Sequence, residues 1–238
     1  MHFKILFFLL LALNTNVQNC GVATYNFKIL DSEDTESPLF EMLRTDSELI
    51  EINLKFNQNY SEYKIKKLEG STNLARVMAF GDNPVLYSKN ENLFKYNNSE
   101  FMYIIPAKKY VVNKDNLNWT IHDDSKIIND IVCFKATSTY PGATTRGELT
   151  TRNVTAWFAP EINLQYGPAF FAGLPGLVLE VQYDTYFLLG LSKITYSDCN
   201  EIVIETNIKG ENIDIKDFDK IQAEILKKEF ENFYKNNP

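Results

Sequence analysis

A single histidine limits the nucleophilic chemistry that this chain can support. The sequence has two histidines, and because His2 lies in an apolar N-terminal segment, only His122 remains for a folded site. A serine or cysteine nucleophile that needs a histidine base would have to use it. Asp123 and Asp124 follow on a predicted strand, where successive side chains point to opposite faces, which disfavours a zinc site. We interpret His122 as a surface histidine beside carboxylates, and we predict no metal site and no cofactor.

Two glutamates provide the other chemistry that the sequence offers. Glu161 and Glu180 flank a stretch rich in glycine and proline, and two carboxyl groups about 5–10 Å apart suffice to hydrolyse a glycosidic bond. Glu180, however, falls on an alternating strand and is expected to face solvent. The sequence has no P-loop, GxGxxG, GxSxG, HExxH or SxxK motif in a suitable context. We therefore predict that the protein is not an enzyme, and a carboxylate-dependent hydrolase is the alternative.

Residues 166–178, called here the Gly-Pro segment, carry a dense group of turn-forming residues just before a predicted strand. The residues singled out are Gly167, Pro168, Gly173, Leu174, Pro175, Gly176, Leu177 and Val178. Glycine permits a positive φ or a close backbone approach, and proline fixes φ. We interpret the segment as a structural junction between a loop and a strand. A ligand-binding turn with exposed backbone donors is the alternative.

Aromatic residues cluster around the Gly-Pro segment. The chain has 13 tyrosines and 17 phenylalanines, and those near the segment are Trp157, Phe158, Tyr166, Phe170 and Phe171. Such a group forms either a filled aromatic core or the wall of an apolar cavity behind a curved sheet. Both interpretations remain open at the level of the sequence.

The N-terminal segment has the composition of an export signal. Lys4 precedes an apolar run, Ile5–Leu13, that is too short to cross a bilayer. We therefore assign residues 1–19 to a signal peptide and residues 20–238 to a single domain. The expected location is the periplasm or the extracellular space, with no transmembrane segment in the mature chain.

Export permits disulfide bonds, and the chain has three cysteines. Cys133 and Cys199 both lie in strand-like contexts, so we expect them to pair; the alternative is that Cys133 is a reduced, buried residue. Cys20 follows Gln18 and Asn19, which suit a lipoprotein signal poorly. Ordinary signal cleavage is therefore preferred over an outer-membrane lipid anchor at Cys20.

The charge balance excludes two classes of partner. The chain has 24 basic and 31 acidic residues and a formal net charge of −7. Nucleic-acid binding needs a basic stripe, and docking on anionic lipid heads needs a basic face. We therefore predict no nucleic-acid partner.

Alternation of apolar and polar residues predicts a sheet protein. The clearest alternating runs are Ala23–Ile29, Ile50–Phe56 and Tyr63–Ile65, and further strand-like segments are Ala75–Phe80, Val85–Tyr87, Met102–Ile105, Leu117–Ile121, Ile127–Thr137, Val154–Phe158, Leu177–Tyr183, Phe187–Tyr196 and Ile202–Ile208. The acidic stretch Asp31–Ser47 is interpreted as a solvated loop. The predicted fold is all-β and mainly antiparallel, a curved, partly open barrel-like sheet.

The C-terminal end changes to a helical period. Its apolar residues at helical spacing are Phe218, Ile221, Ile225, Phe230 and Phe233. Asp217 is the expected N-cap. We predict one C-terminal helix that packs its apolar stripe on the sheet.

Several short motifs occur in an order that resembles a known family. Residues 21–25 form an opening strand, Trp119 lies in a later one, and Cys-x-Lys-Ala-Thr at 133–137 precedes Ala-Trp-Phe at 156–158 and Gly-Leu-Pro-Gly-Leu-Val at 173–178. The chain thereby resembles the GLPGLI family, secreted proteins of Bacteroidetes-type bacteria whose biochemical activity is uncharacterised. The resemblance implies export and a GLPGLI-like β domain over residues 20–238.

The chain departs from the family pattern in two places. Val178 replaces the isoleucine of the family name, and the predicted hairpin Tyr140–Thr151 is longer than usual. No role is therefore transferred to Arg146 or Arg152, and the family supplies no catalytic residues.

Three functions are compatible with these features. The first hypothesis is an exported cell-envelope protein, non-catalytic, that binds an apolar or amphiphilic ligand such as a hydrophobic small molecule or lipid, or an outer-membrane partner protein. The second is a periplasmic hydrolase that uses Glu161 and Glu180. The third is a structural partner that offers an exposed sheet edge.

Overall fold

A computed structural model describes residues 19–67, 69–70, 79–80, 83–97, 108–143 and 149–236. The predicted signal peptide, apart from residue 19, and the predicted strand Met102–Ile105 lie outside this range, as does most of Ala75–Phe80.

The described chain contains twelve strands, two α-helices and two short 3₁₀ helices. The strands are β1 (Gly21–Ile29), β2 (Ile50–Phe56), β3 (Tyr60–Lys67), β4 (Val85–Ser88), β5 (Leu93–Asn97), β6 (Tyr110–Asp115), β7 (Thr120–Ile128), β8 (Ile131–Ala143), β9 (Leu149–Ala159), β10 (Leu177–Tyr183), β11 (Phe187–Tyr196) and β12 (Glu211–Asp214). The helices are α1 (Pro38–Ser47) and α2 (Ile215–Asn236), and the 3₁₀ helices are Glu33–Thr35 and Cys199–Glu201.

All twelve strands belong to one sheet, in the order β12-β6-β5-β4-β3-β2-β1-β11-β10-β9-β8-β7. Neighbouring strands are antiparallel except β12, which runs parallel to β6. The sheet is not closed, because β12 and β7 stand at its two ends. The prediction of an all-β, mainly antiparallel, curved and open sheet with a C-terminal helix is confirmed.

The pairing of β1 with β11 joins two halves of the sheet. On one side lie β1 to β6 with β12, and on the other lie β7 to β11. This central ladder runs from Gly21 opposite Tyr196 to Ile29 opposite Phe187, with a register shift between Thr24 and Tyr25. We call this pair of strands the seam.

The alternating pattern determines which side chains enter the core. In β1 every second residue is buried, namely Ala23, Tyr25, Phe27 and Ile29, and β2 repeats the pattern with Ile50, Ile52, Leu54 and Phe56. One face of each strand therefore packs inward while the other carries polar side chains, because successive side chains of a strand point to opposite faces. The predicted strands β1, β2, β10 and β11 are confirmed.

Two local predictions are wrong. Asp31–Ser47 is not a loop throughout, since α1 begins at Pro38, and the Ser37 hydroxyl accepts a hydrogen bond from the backbone N–H of Phe40 at 3.4 Å. A serine N-cap followed by proline is a helix-start signal that the acidic composition obscured. Ile202–Ile208 is irregular, and it cannot form a hairpin with the preceding strand, because both edges of β11 are already paired with β1 and β10.

The hairpin between β7 and β8 also differs from the prediction. Asn129 and Asp130 have φ values of 51° and 62°. Two consecutive residues with positive φ form the tight turn that suits the twist of a hairpin. The segment predicted as a continuous strand, Ile127–Thr137, is therefore divided by this turn.

Helix α2 packs on one end of the sheet. Its buried Phe218 lies edge-on to Tyr110 of β6, with 6.1 Å between ring centroids. The helix begins at Ile215, and Asp214, rather than the predicted Asp217, accepts a hydrogen bond from the N–H of Lys216. Neither α1 nor α2 is long and apolar enough to cross a membrane.

Candidate functional site

A disulfide bond fastens the seam, and its partners differ from those predicted. Cys20 is bonded to Cys199 with 5.1 Å between their Cα atoms, and Cys133 is free and buried. The expected Cys133–Cys199 pairing is wrong because Cys133 lies on β8, three strands away from β11, or roughly 14 Å at the usual strand spacing. A disulfide needs Cα atoms within about 7 Å. Cys20 immediately precedes β1, the partner of β11, and so lies within reach.

The Gly-Pro segment lies on the inner face of the curved sheet. Its buried side chains are Tyr166, Ala169, Phe170, Phe171, Ala172, Leu174, Leu177 and Val178. Phe170 contacts the rings of Phe94 and Tyr96 on β5 and of Tyr140 on β8. Because β5 and β8 belong to opposite halves of the sheet, this one segment packs against both halves and fills the space between them.

Hydrogen bonds from three distant parts of the chain hold the segment in place. The Tyr25 hydroxyl donates to the carbonyl of Val178 at 2.6 Å, and the Trp119 indole N–H donates to the carbonyl of Ala172 at 3.0 Å. In the other direction, the Tyr166 hydroxyl donates to the carbonyl of Asn57 at 2.9 Å. Buried backbone carbonyls of an irregular segment need such partners, so the segment is part of the scaffold.

None of the three glycines of the segment has room for a side chain, and at Gly176 a Cβ atom would overlap the carbonyl of Ala159. Gly173 has a φ of 82°, and a Cβ atom there would overlap the amide of Asn116. A Cβ atom on Gly167 would overlap the carbonyl oxygen of Phe171. The positive φ and the close approaches explain why glycine occupies these positions.

We expect Tyr25→Phe to lower the free energy of unfolding by about 1–3 kcal/mol. The substitution leaves the Val178 carbonyl without the donor that now lies 2.6 Å away. Burial raises the pKa of Tyr25, which keeps the hydroxyl protonated and able to donate. Urea denaturation monitored by circular dichroism measures the change. Tyr196→Phe, at an exposed tyrosine, is the control, and equal stabilities for Tyr25→Phe and wild type would contradict the assigned role of this bond.

Beside the Gly-Pro segment, a second group of residues joins the ends of the sheet. We define the aromatic cluster as Phe80, Tyr96, Lys114, Tyr140 and Tyr183. Phe80 lies 6.0 Å from both the Tyr140 and the Tyr183 ring centroids, and the latter two are 5.8 Å apart. All four rings are partly buried rather than fully buried, so the cluster keeps some contact with solvent.

Lys114 is the unusual member of the aromatic cluster. It lies on β6 opposite Phe94, and only 4% of its surface is exposed. Its Nζ is 4.6 Å from the centroid of the Tyr140 ring and 5.9 Å from that of Phe170. A cation over aromatic faces gains up to about 2 kcal/mol when desolvated. The contact also bridges β6 and β8, which lie near opposite ends of the sheet order.

The ammonium of Lys114 has no hydrogen-bond acceptor and no ion-pair partner within the described part of the chain. Burial lowers its pKa, and the charges of Asp219 and Asp115 act in the opposite direction. Burial likewise raises the pKa of Asp219 on α2, which Lys114 partly offsets. The two charges therefore influence each other without forming a direct pair.

Three tyrosine hydroxyls share this environment. Burial raises the pKa of Tyr140, with further contributions in the same direction from Tyr96, Tyr183 and Asp219. Burial also raises the pKa of Tyr183 to about 12, an effect that Arg152 opposes. Arg152 itself is paired with Asp184 at 3.4 Å. The aromatic cluster thus combines a buried cation with neutral hydroxyl donors.

The glutamates and the histidine singled out in the sequence do not converge on this cluster. Glu180 forms an ion pair with Lys126 at 2.5 Å, and Lys126 lies 4.5 Å from the Trp157 ring centroid. Glu161 is exposed in the turn after β9. His122 lies on the edge strand β7, where its Nε2 is 2.7 Å from the Thr137 hydroxyl. Within the described ranges, no group of three His, Cys, Asp or Glu side chains is arranged to hold a metal ion.

The free cysteine is a packing residue with a weakly reactive thiol. Cys133 is buried, and burial raises its pKa to about 11, with smaller contributions from Lys126, Glu161 and Glu180. The thiolate is the nucleophilic form of cysteine, and it is scarce at neutral pH under these conditions.

Sequence reasoning missed Lys114 and the strand that carries it. Residues 110–115 contain Lys114 between Asn113 and Asp115, a polar run that does not predict a buried side chain. The available signal was the two-residue spacing of Val112 and Lys114. Residues i and i+2 of a strand share a face, so Lys114 lies on the same face as the apolar Val112.

Comparison with protein families gives one match over a short part of the chain. Residues 143–180 match a family described as "Protein of unknown function (Porph_ging)". This stretch runs from the end of β8 through β9 and the Gly-Pro segment into β10. No curated protein matches the sequence.

Solved structures of PNGF-II resemble the fold. The structure described as "Structure of PNGF-II in C2 space group" has a TM-score of 0.53 at 7% identity, covering 87% of this chain and 33% of that one. The structure in the P21 space group has a TM-score of 0.52 at 8% identity, covering 87% and 34%. The chain thus spans about a third of the length of these structures, and at such low identity the likeness concerns the fold alone.

Proposed function

We propose that this chain is an exported, non-catalytic protein of the cell envelope, of the GLPGLI type, that binds an apolar or amphiphilic ligand at the aromatic cluster. The main support for this proposal is the group of partly buried rings between the two ends of the open sheet. Binding sites for small molecules are concave and largely apolar, with a few polar groups that orient the ligand. The aromatic cluster has this composition.

The disulfide supports the export part of the proposal. Bonds such as Cys20–Cys199 persist in oxidising compartments and are rare in the cytosol. The same bond supports ordinary signal cleavage over lipid anchoring, because a lipid thioether and a disulfide would require the same Cys20 sulfur.

A hydrolase that uses Glu161 and Glu180 has weaker support. Glu180 is held in an ion pair by Lys126 at 2.5 Å, so a protein side chain already occupies its carboxylate, and Glu161 is exposed in the turn after β9. An envelope protein partner is the second candidate. It is favoured by the edge strand β7, where 72% of Ile127 is exposed beside a free edge.

A titration with the neutral fluorescent probe 1-N-phenylnaphthylamine tests the proposal. We expect saturable binding to the wild type and about tenfold weaker binding to Tyr140→Ala, because truncating a central aromatic residue removes more than about 1 kcal/mol of binding energy. Tyr196→Ala, which removes an exposed tyrosine outside the cluster, is the matched control. An unsaturable signal, or equal affinities for wild type and Tyr140→Ala, would reject ligand binding at the cluster and favour the protein-partner alternative.

A further inference from the structure

We propose that the aromatic cluster selects amphiphiles with an anionic head group, and that Lys114 and tyrosine hydroxyls donate hydrogen bonds to a carboxylate. This inference rests on the proposed ligand site. Lys114 is 4% exposed, and its Nζ lies over the faces of the Tyr140 and Phe170 rings. A buried ammonium is costly unless an acceptor compensates for the lost hydration. A bound carboxylate supplies that acceptor.

The donors around the site suit an oxyanion. An ammonium has three donors and no acceptor, and each tyrosine hydroxyl adds one more donor. Within the described residues, the hydroxyls of Tyr96, Tyr140 and Tyr183 donate to no protein group. Hydrogen bonds to charged groups are stronger than neutral ones, so a carboxylate at this position would use donors that the protein leaves unpaired.

The surrounding rings suit the apolar part of the same ligand. Phe80 also contacts Phe170, Phe171 and Phe187, with ring centroids 5.4–5.8 Å away. These rings continue from Lys114 toward the seam along the inner face of the sheet. Phe170, Phe171 and Phe187 are buried, so they support the partly exposed rings of the aromatic cluster from behind. An alkyl chain that extends from the bound carboxylate would contact the rings of the cluster itself.

Asp219 is the charged group that opposes anion binding. It influences Lys114 electrostatically, but the two are not among the ion pairs of the described residues. Asp115, the other acid that influences Lys114, is exposed at the end of β6. Removing the charge of Asp219 should therefore strengthen the binding of an anion, whereas removing that of Lys114 should weaken it. Opposite changes in anion affinity for the two substitutions distinguish a charge effect from general damage to the fold, which would weaken binding in both.

Displacement of bound 1-N-phenylnaphthylamine by decanoate and by decan-1-ol tests the inference. We expect decanoate to displace the probe from the wild type at roughly tenfold lower concentration than the alcohol. Lys114→Met should abolish this preference, Lys114→Arg should retain part of it, and Asp219→Asn should increase it. Lys64→Met, at an exposed lysine on β3, should leave it unchanged.

Each outcome bears on a defined part of the inference. Equal displacement by decanoate and decan-1-ol from the wild type, or an unchanged preference in Lys114→Met, overturns it while leaving the proposed function standing. Failure of the probe to bind the wild type overturns the proposed function instead. Acetate should not displace the probe at concentrations at which decanoate does, and equal displacement by acetate would overturn the assignment to an amphiphile. The affinity of Lys114→Met for the neutral probe shows whether that variant is folded.

Discussion

Replacing Cys20 and Cys199 together with alanine is expected to lower the free energy of unfolding by about 3–5 kcal/mol. The bond joins residues 179 positions apart, so its loss releases a very long loop in the unfolded chain. It also leaves the seam held by the β1–β11 ladder and by the Gly-Pro segment. Urea denaturation of the oxidised wild type and of the double variant measures the difference.

Two controls accompany this prediction. Cys133→Ala removes the free buried cysteine and should change stability far less than the double variant. With three cysteines and one bond, the unfolded oxidised protein should expose a single reactive thiol, that of Cys133. An oxidised wild type that is no more stable than the reduced protein, or a bond mapped to Cys133, would show that the assignment is wrong.

Replacing Gly176 with alanine is expected to lower the free energy of unfolding by about 2–3 kcal/mol. A Cβ atom there would overlap the carbonyl group of Ala159 and lie 2.8 Å from the backbone nitrogen of Pro160. Both obstacles are backbone atoms, which cannot rotate away as the end of a side chain can. The change would therefore push apart the end of β9 and the start of β10.

Gly190→Ala is the matched control for this prediction. Gly190 lies in β11, and the nearest atom to an added Cβ would be the Leu188 Cδ2 at 3.7 Å, an ordinary contact. Its stability should differ from that of the wild type by no more than about 0.5 kcal/mol. Melting curves of Gly176→Ala that coincide with those of the wild type would rule out the structural role that we assign to the Gly-Pro segment.

Both changes act on structures that connect the halves of the sheet, the disulfide directly and Gly176→Ala through the position of the Gly-Pro segment. The disulfide fastens the seam at the start of β1, and the Gly-Pro segment packs against β5 and β8 on the inner face. The β1–β11 ladder and the Lys114–Tyr140 contact remain as further connections between the halves. We therefore expect the two variants to unfold as a single transition at lower denaturant concentration, with Tyr25→Phe showing a smaller effect in the same direction.

The predictable part of the fold came from local patterns. The runs Ile50–Phe56, Leu177–Tyr183 and Phe187–Tyr196 coincide with β2, β10 and β11. In each, alternation places an apolar side chain on the inner face, and that alternation is written in neighbouring residues. The run Ile202–Ile208 has similar composition but pairs with no strand of the sheet, which shows that composition alone does not place a segment in a sheet.

The candidate site was far less predictable. His122, Glu161 and Glu180 are candidates in the sequence because their side chains can do chemistry. In the structure, however, Glu180 is ion-paired with Lys126, and His122 lies on an edge strand. Lys114 has no sequence motif around it. Its burial depends on Tyr140 and Phe170, which reach it only because the sheet curls and brings β6 near β8.

The sequence by itself determined that the chain alternates as strands, ends in a helix, and carries a glycine-proline junction before β10. These features depend on residues within a few positions of one another. The tertiary structure decided that Cys199 bonds Cys20 and that Lys114 is enclosed by rings from the far half of the sheet. The physical reason is that strand order and curvature bring together residues that are distant in sequence, and no local period encodes which strands become neighbours.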